Sequence, residues 1–138
     1  MCIFDAEGNA IKVFKNRDDA SREHVEAVFS SEVHAYQIAT SNELLKSYIP
    51  EFFGTIKCDC VLDATGCDIS DTFHLDLSYK MKRVNGSFEK TGLNDNDLKS
   101  KFDAAGIRHT KDASVLYEDN KVKCLIDFAV EEHELWHQ

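Results

Sequence analysis

Near the end of the chain, the run Val122-Lys123-Cys124-Leu125-Ile126-Asp127-Phe128-Ala129 sets one carboxylate in an apolar strand, followed at once by an aromatic ring. A carboxylate among Leu125, Ile126 and Phe128 is partly withdrawn from water and needs a partner. That partner is either a charge brought by the fold or the turn into Glu131 and Glu132, which Asp127 would cap. Two earlier charges stand in comparable settings. Lys12 interrupts the β-branched run Ala10-Ile11-Lys12-Val13-Phe14-Lys15, and Glu32 lies in Ser31-Glu32-Val33-His34-Ala35-Tyr36, which has helical spacing. Taken singly, Lys12 suits a solvated strand edge and Glu32 an exposed helix face. Their chemistry depends on whether the fold carries them to Asp127.

Other groups of ligating residues are less well arranged. Cys58, Cys60 and Cys67, joined by Cys124 or His74, lack the paired C-x2-C spacing of a zinc ribbon. Cys58 and Cys60 would share a strand face with Ile56 and Leu62, which suits small core residues. His133 and His137 are four apart on a final helical turn expected over 131–138, a feasible metal pair but close to the chain end. Asp68, Asp71 and Asp76 lack the ordered spacing of a calcium loop.

At 138 residues the chain is read as one domain, 1–138, long enough to bury a real core. A net charge of −9 without any basic stripe argues against binding nucleic acid, whose phosphates demand clustered Lys and Arg. No apolar stretch approaches the roughly 20 residues that span a bilayer. The opening Met1-Cys2-Ile3-Phe4-Asp5 lacks the pattern of a secretory signal. Five cysteines cannot all pair within one chain, which fits a reducing, cytoplasmic setting.

The elements that must position these charges can be read in order. Ile3-Phe4 and Ile11 to Phe14 form a hairpin across Gly8-Asn9. Asp18 or Asp19 would cap a helix running to about Ala39, with Val25, Val28 or Phe29, Val33 and Tyr36 on one face. Ser41 to Lys46 suits a second short helix, and Pro50 forces the residues before it to be extended. From Thr55 a strand is expected through Leu62, burying Ile56, Cys58, Cys60 and Leu62. Phe73, Leu75, Leu77, Tyr79 and Met81 alternate with polar residues in another strand, ended by a turn at Asn85-Gly86. Asp95 to Ala105 should be a helix stopped by Gly106. Val115 to Tyr117 then pairs with Lys123 to Ile126 across Glu118 to Asn120. The class is α+β: an antiparallel sheet with one main helix.

In this order the segments resemble the small lobe of a protein-kinase-like phosphotransferase followed by a truncated large lobe. The resemblance implies that Lys12 holds the α- and β-phosphates of ATP, that Glu32 pairs with Lys12 and fixes it, and that Asp127 binds Mg2+. Tyr48 to Gly54 is similar to the segment joining that helix to the next strand, and Phe73 to Val84 would run into the hinge that meets an adenine. Gly106-Ile107-Arg108-His109 is similar to the catalytic loop. The usual pattern has aspartate two residues after the histidine, where Lys111 stands, and asparagine where Leu116 stands. With two residues deleted, Asp112 becomes the base and Ser114 replaces the asparagine, a poorer magnesium ligand.

Ala129 also replaces the usual glycine after Phe128, and the segment before Lys12 has only Gly8 where the family carries a Gly-rich phosphate cover. The large-lobe helices fall outside these residues. The expectation is a degenerate or minimal kinase-like protein: a non-catalytic binding or regulatory module acting through a protein partner or self-association. Two alternatives stand beside it. One is a minimal ATP-dependent phosphotransferase, with His109 and Asp112 in the catalytic loop. The other is an unrelated α+β binding domain in which these residues never meet.

Overall fold

The computed structural model describes residues 2–132, so His133, His137 and most of the expected final helical turn lie outside the described residues. The first hairpin pairs β1 (Cys2–Phe4) with β2 (Ala10–Lys15). The Asp5 carboxylate closes its turn by accepting the Glu7 and Asn9 amides at 2.9 Å each, and Gly8 takes φ +82. Helix α1 (Arg22–Ser41) follows. Its cap is Ser21, whose hydroxyl accepts the His24 amide, rather than Asp18 or Asp19. Asp19 is engaged instead with Arg17. Asn42 ends the helix and turns its side chain onto the Leu44 and Leu45 amides, so the next short helix forms at Leu45–Tyr48 instead of Ser41 to Lys46. Ile49 is extended before Pro50, as the proline demands.

Strands β3 (Phe52–Ile56) and β4 (Phe73–Met81) complete an antiparallel sheet of order β1-β2-β4-β3. The strand expected to run on to Leu62 stops at Ile56. Past Ile56 the chain keeps one bond to β4, from the Cys58 amide to the Leu75 carbonyl at 2.9 Å, and then turns at Asp63, whose carboxylate binds the amides of Thr65 and Cys67. Burial then follows the loop: Cys58 and Val61 are covered, whereas Cys60 and Leu62 are exposed.

The register between β2 and β4 jumps from Val13↔Ser78 to Phe14↔His74. This bulge splits the apolar series of β4 between two cores. Leu77, Tyr79 and Met81 pack under α1 with Ala10, Phe14, Val25, Val28 and Tyr36. Phe73 and Leu75 pack on the opposite face with Ile11, Val13, Cys58 and Val61.

Asn85-Gly86 makes no hairpin. The chain leaves the sheet there, and Gly86 lies so close to Leu116 that a Cβ would stand 2.5 Å from its side chain. Glu89 then exchanges two backbone hydrogen bonds with Val115. Helix α2 (Asn96–Ala104) is capped by the Asp95 carboxylate on the Leu98 amide, buries Leu98 and Phe102, and stops before Gly106 at φ +94. Strands β5 (Ser114–Glu118) and β6 (Lys121–Ile126) form a second antiparallel pair. Asp119 and Asn120, at φ +54 and +64, supply the tight turn.

The class is thus α+β with antiparallel sheets and two helices. Aromatic rings weld the parts together: Tyr36 on α1 stacks on Phe52 at 5.2 Å and meets Phe128 at 4.5 Å, and Phe128 meets Phe102 of α2 at 5.8 Å. Such pairs contribute about 0.5–1.5 kcal/mol each beyond their burial. No helix among the described residues is long and apolar enough to cross a membrane.

Candidate functional site

Alternation along β2 turns Ala10, Lys12 and Phe14 toward α1, and Lys12 stands directly across the ladder from Tyr79. Both reach the same carboxylate. Lys12 Nζ lies 2.6 Å from Glu32 Oε1, and the Tyr79 hydroxyl donates to that oxygen, also at 2.6 Å. Glu32 is buried because its turn of α1 faces the sheet and the segment after β6. Ser31 beside it accepts the Glu131 amide at 3.0 Å, and its carbonyl accepts from Val130. These bonds pin the chain after β6 to α1 and bring Asp127 to the cluster.

Asp127 Oδ1 lies 3.3 Å from Lys12 Nζ, and Asp127 Oδ2 accepts from the Ser114 hydroxyl at 3.2 Å. Its backbone takes φ +60, a left-handed turn that Asp tolerates better than most residues. The turn leads the chain from β6 into the buried Phe128.

Exposure grades across the cluster. The Glu32 side chain keeps 3% of its surface, Lys12 18% and Asp127 38%. Burial works against the Lys12 charge, but the carboxylates of Glu32 and Asp127 outweigh it and hold the ammonium above the ordinary lysine range. Burial, reinforced by Glu32, raises the Tyr79 hydroxyl well above an ordinary tyrosine. Tyr36 is raised in the same way, by burial first and then by Asp127 and Glu32. Its hydroxyl is sealed beside the Asp127 amide but outside good hydrogen-bonding geometry.

The expected site residues therefore fall into two groups. Lys12, Glu32, Asp127 and Ser114 form one contact network. His109 and Asp112 form a second pair, with Nε2 3.6 Å from Asp112 Oδ2. His109 is buried and exchanges backbone hydrogen bonds with Ala129 at 3.0 Å in each direction, which ties this pair to the segment following Asp127. Tyr79 is the member that sequence reading missed. It was legible only as one of an apolar series, yet a buried tyrosine hydroxyl always raises the question of its acceptor.

Among the described residues no three His, Cys, Asp or Glu side chains group to hold a metal. Cys58 is buried against Ser78, as a core cysteine would be, while Cys60 and Cys67 face solvent. The Asp127 carboxylate and Ser114 hydroxyl do fit a magnesium ion that draws its other oxygens from phosphate and water, which is the usual habit of this cation. The charge balance agrees. Two carboxylates face one ammonium, leaving a negative charge for a cation to neutralise.

Beside this cluster a cleft of about 220 Å3 opens between the sheet and the β5–β6 pair, walled by Ala10, Met81, Val84, Phe88, Pro50 and Ile126. Ala10 precedes Lys12 by two residues on the same strand face, and Ile126 adjoins Asp127. The cluster itself does not line the cleft; it adjoins it through Ala10, Ile126 and Cys2, which stands opposite Lys12. Comparisons with protein-family models, with curated proteins and with solved structures returned no match.

Proposed function

We propose that the protein is a kinase-like module that binds a magnesium nucleotide, turns it over poorly, and acts through a protein partner or a second copy of itself. The observation that carries this reading is Lys12, held between Glu32 and Asp127 beside an apolar cleft. Glu32 fixes the ammonium so that its remaining donors can meet phosphate oxygens. Asp127, oriented by Ser114, offers oxygen to the metal. Magnesium, when bound, supplies the positive charge that lets phosphate approach two carboxylates. Ala10, Met81, Val84 and Ile126 exclude water from the base.

Weak turnover follows from the positions around the loop. Lys111 and the buried Leu116 stand where the resemblance calls for a base and a second metal ligand. Removing one preorganised electrostatic contact costs roughly 10²–10³ in rate. The alternative, a minimal phosphotransferase, draws support from Asp112, a 40%-exposed carboxylate beside His109. Competition of unlabelled ATP against a fluorescent ATP analogue, followed by an ADP-release assay, separates the readings. Binding with negligible release supports the proposed module. Release that Asp112→Asn abolishes supports the transferase, and no binding at millimolar ATP with magnesium contradicts both.

A further inference from the structure

The cleft beside the Lys12 cluster carries charge of its own. Arg83 and Lys82, adjacent in sequence, both line it, and neither is ion-paired with another described residue. The Arg83 guanidinium is stacked 4.1 Å over the Phe4 ring, which holds its plane while leaving its N–H edges available. In a chain of 25 acidic and 16 basic residues, two neighbouring cations without carboxylate partners mark this end of the cleft.

The β1–β2 register fixes where this end lies. Cys2 stands opposite Lys12 and Phe4 opposite Ala10. Phe4 with its arginine is therefore two residues along the strand from Lys12, about 7 Å at the usual rise. Cys2 lies in the cleft lining at the Lys12 end. Burial and then Asp127 raise its thiol, while Lys12 and Arg83 both pull it down. At the Lys12 end two carboxylates require a metal before an anion can bind. At the Arg83 end no such requirement exists, and a guanidinium fork suits a bare phosphate.

We propose that the cleft takes a ligand that is anionic at both ends, specifically a nucleoside bisphosphate, with Arg83 and Lys82 receiving the phosphate that lies away from Lys12. This inference rests on the nucleotide reading and narrows its ligand class. The 5′-phosphate with its metal meets Lys12 and Asp127, the base lies on Ala10, Met81 and Ile126, and the phosphate on the sugar's 2′ or 3′ oxygen meets Arg83.

The test is calorimetric titration, with magnesium, of AMP, ADP and adenosine 3′,5′-bisphosphate into the wild type and into Lys82→Gln/Arg83→Gln. ADP carries the same number of phosphates on one end only, which controls for phosphate count. The wild type should bind the bisphosphate about tenfold tighter than AMP, a modest gain because both cations are exposed. The double variant should lose that gain and keep its ADP affinity, and Arg83→Lys should keep part of it. ADP binding without any gain for the bisphosphate overturns the inference and leaves the nucleotide reading standing. A gain that survives in the double variant overturns the assignment to these two side chains. Failure of all three nucleotides to bind removes the nucleotide reading and this inference together.

Discussion

Replacing Lys12 by methionine keeps the stem of the side chain in the sheet and removes only its charge. What is left behind is Glu32, 97% withdrawn from solvent by its 3% exposure, with Tyr79 as its remaining donor. Breaking a buried ion pair from one side costs about 3–5 kcal/mol. Two features place this case at the low end: Lys12 itself keeps 18% exposure, and the Tyr79 hydrogen bond survives. The Lys12–Asp127 contact adds little, about 1 kcal/mol at most, because Asp127 is 38% exposed.

A loss of about 3 kcal/mol is therefore expected, which lowers Tm by roughly 10 °C for a chain of this size. Lys12→Met/Glu32→Gln removes both charges and keeps an acceptor for Tyr79, so most of that loss should return. Urea melts followed by far-ultraviolet circular dichroism on the four proteins of the double-mutant cycle give the coupling. An interaction of about 2 kcal/mol or more is expected. If each single variant costs under about 0.5 kcal/mol and the effects simply add, Lys12 and Glu32 behave as a screened surface pair and the reasoning fails.

Four further outcomes follow from the same structure. Lys12, Tyr36 and Tyr79 all hold protons in the folded state that the unfolded chain releases near their ordinary values of 10.5 and 10.0. Their contribution is complete below about pH 10 and is lost as pH rises beyond it, so urea midpoints should fall between about pH 10 and 12. A flat profile there contradicts the burial of this cluster. Tyr79→Phe should cost about 1.5–3 kcal/mol, since it removes a 2.6 Å hydrogen bond to a buried carboxylate, and the urea midpoint measures it. Gly92→Ala should lose about 2 kcal/mol or more in thermal melts, because φ there is +72 and a Cβ would run into the Lys111 carbonyl. With a thiol reagent at pH 8, Cys60 and Cys67 should react first, whereas buried Cys58 and Cys124 should wait for unfolding. Burial pushes Cys124 to about 11.

Local chemistry made several elements legible. Gly8-Asn9 and Asp119-Asn120 turn where turn residues should, Asp95 caps α2 and Gly106 ends it, and Pro50 keeps Ile49 extended. The order of Lys12, Glu32 and Asp127 was also readable, although their meeting depends on Ser31 binding the Val130 and Glu131 amides from 100 residues away. What escaped was set by contacts at long range or by competing side chains. The chain left the ladder at Ile56, well before the turn at Asp63, and the bulge at Val13/Phe14 sent Leu75 and Leu77 to different cores. Asn85-Gly86 carries a strong hairpin signal, yet Gly86 is used for close approach to Leu116. The cap is Ser21, directly before the helix that begins at Arg22, while Asp19 pairs with Arg17. Tyr79 was hidden by an alternation that describes its ring and ignores its hydroxyl.

If Lys12, Glu32 and Asp127 form a metal-nucleotide site, nucleotide binding there must depend on magnesium. Calorimetric titration of ATP should be run with and without magnesium on the wild type, Lys12→Ala and Asp127→Asn. Asparagine tolerates the φ of +60 at this position, so Asp127→Asn should fold with little loss of stability. Wild-type binding should require magnesium and should be lost in both variants. ATP binding that is unchanged by removing magnesium and by Asp127→Asn would contradict such a site, as would no binding at millimolar nucleotide.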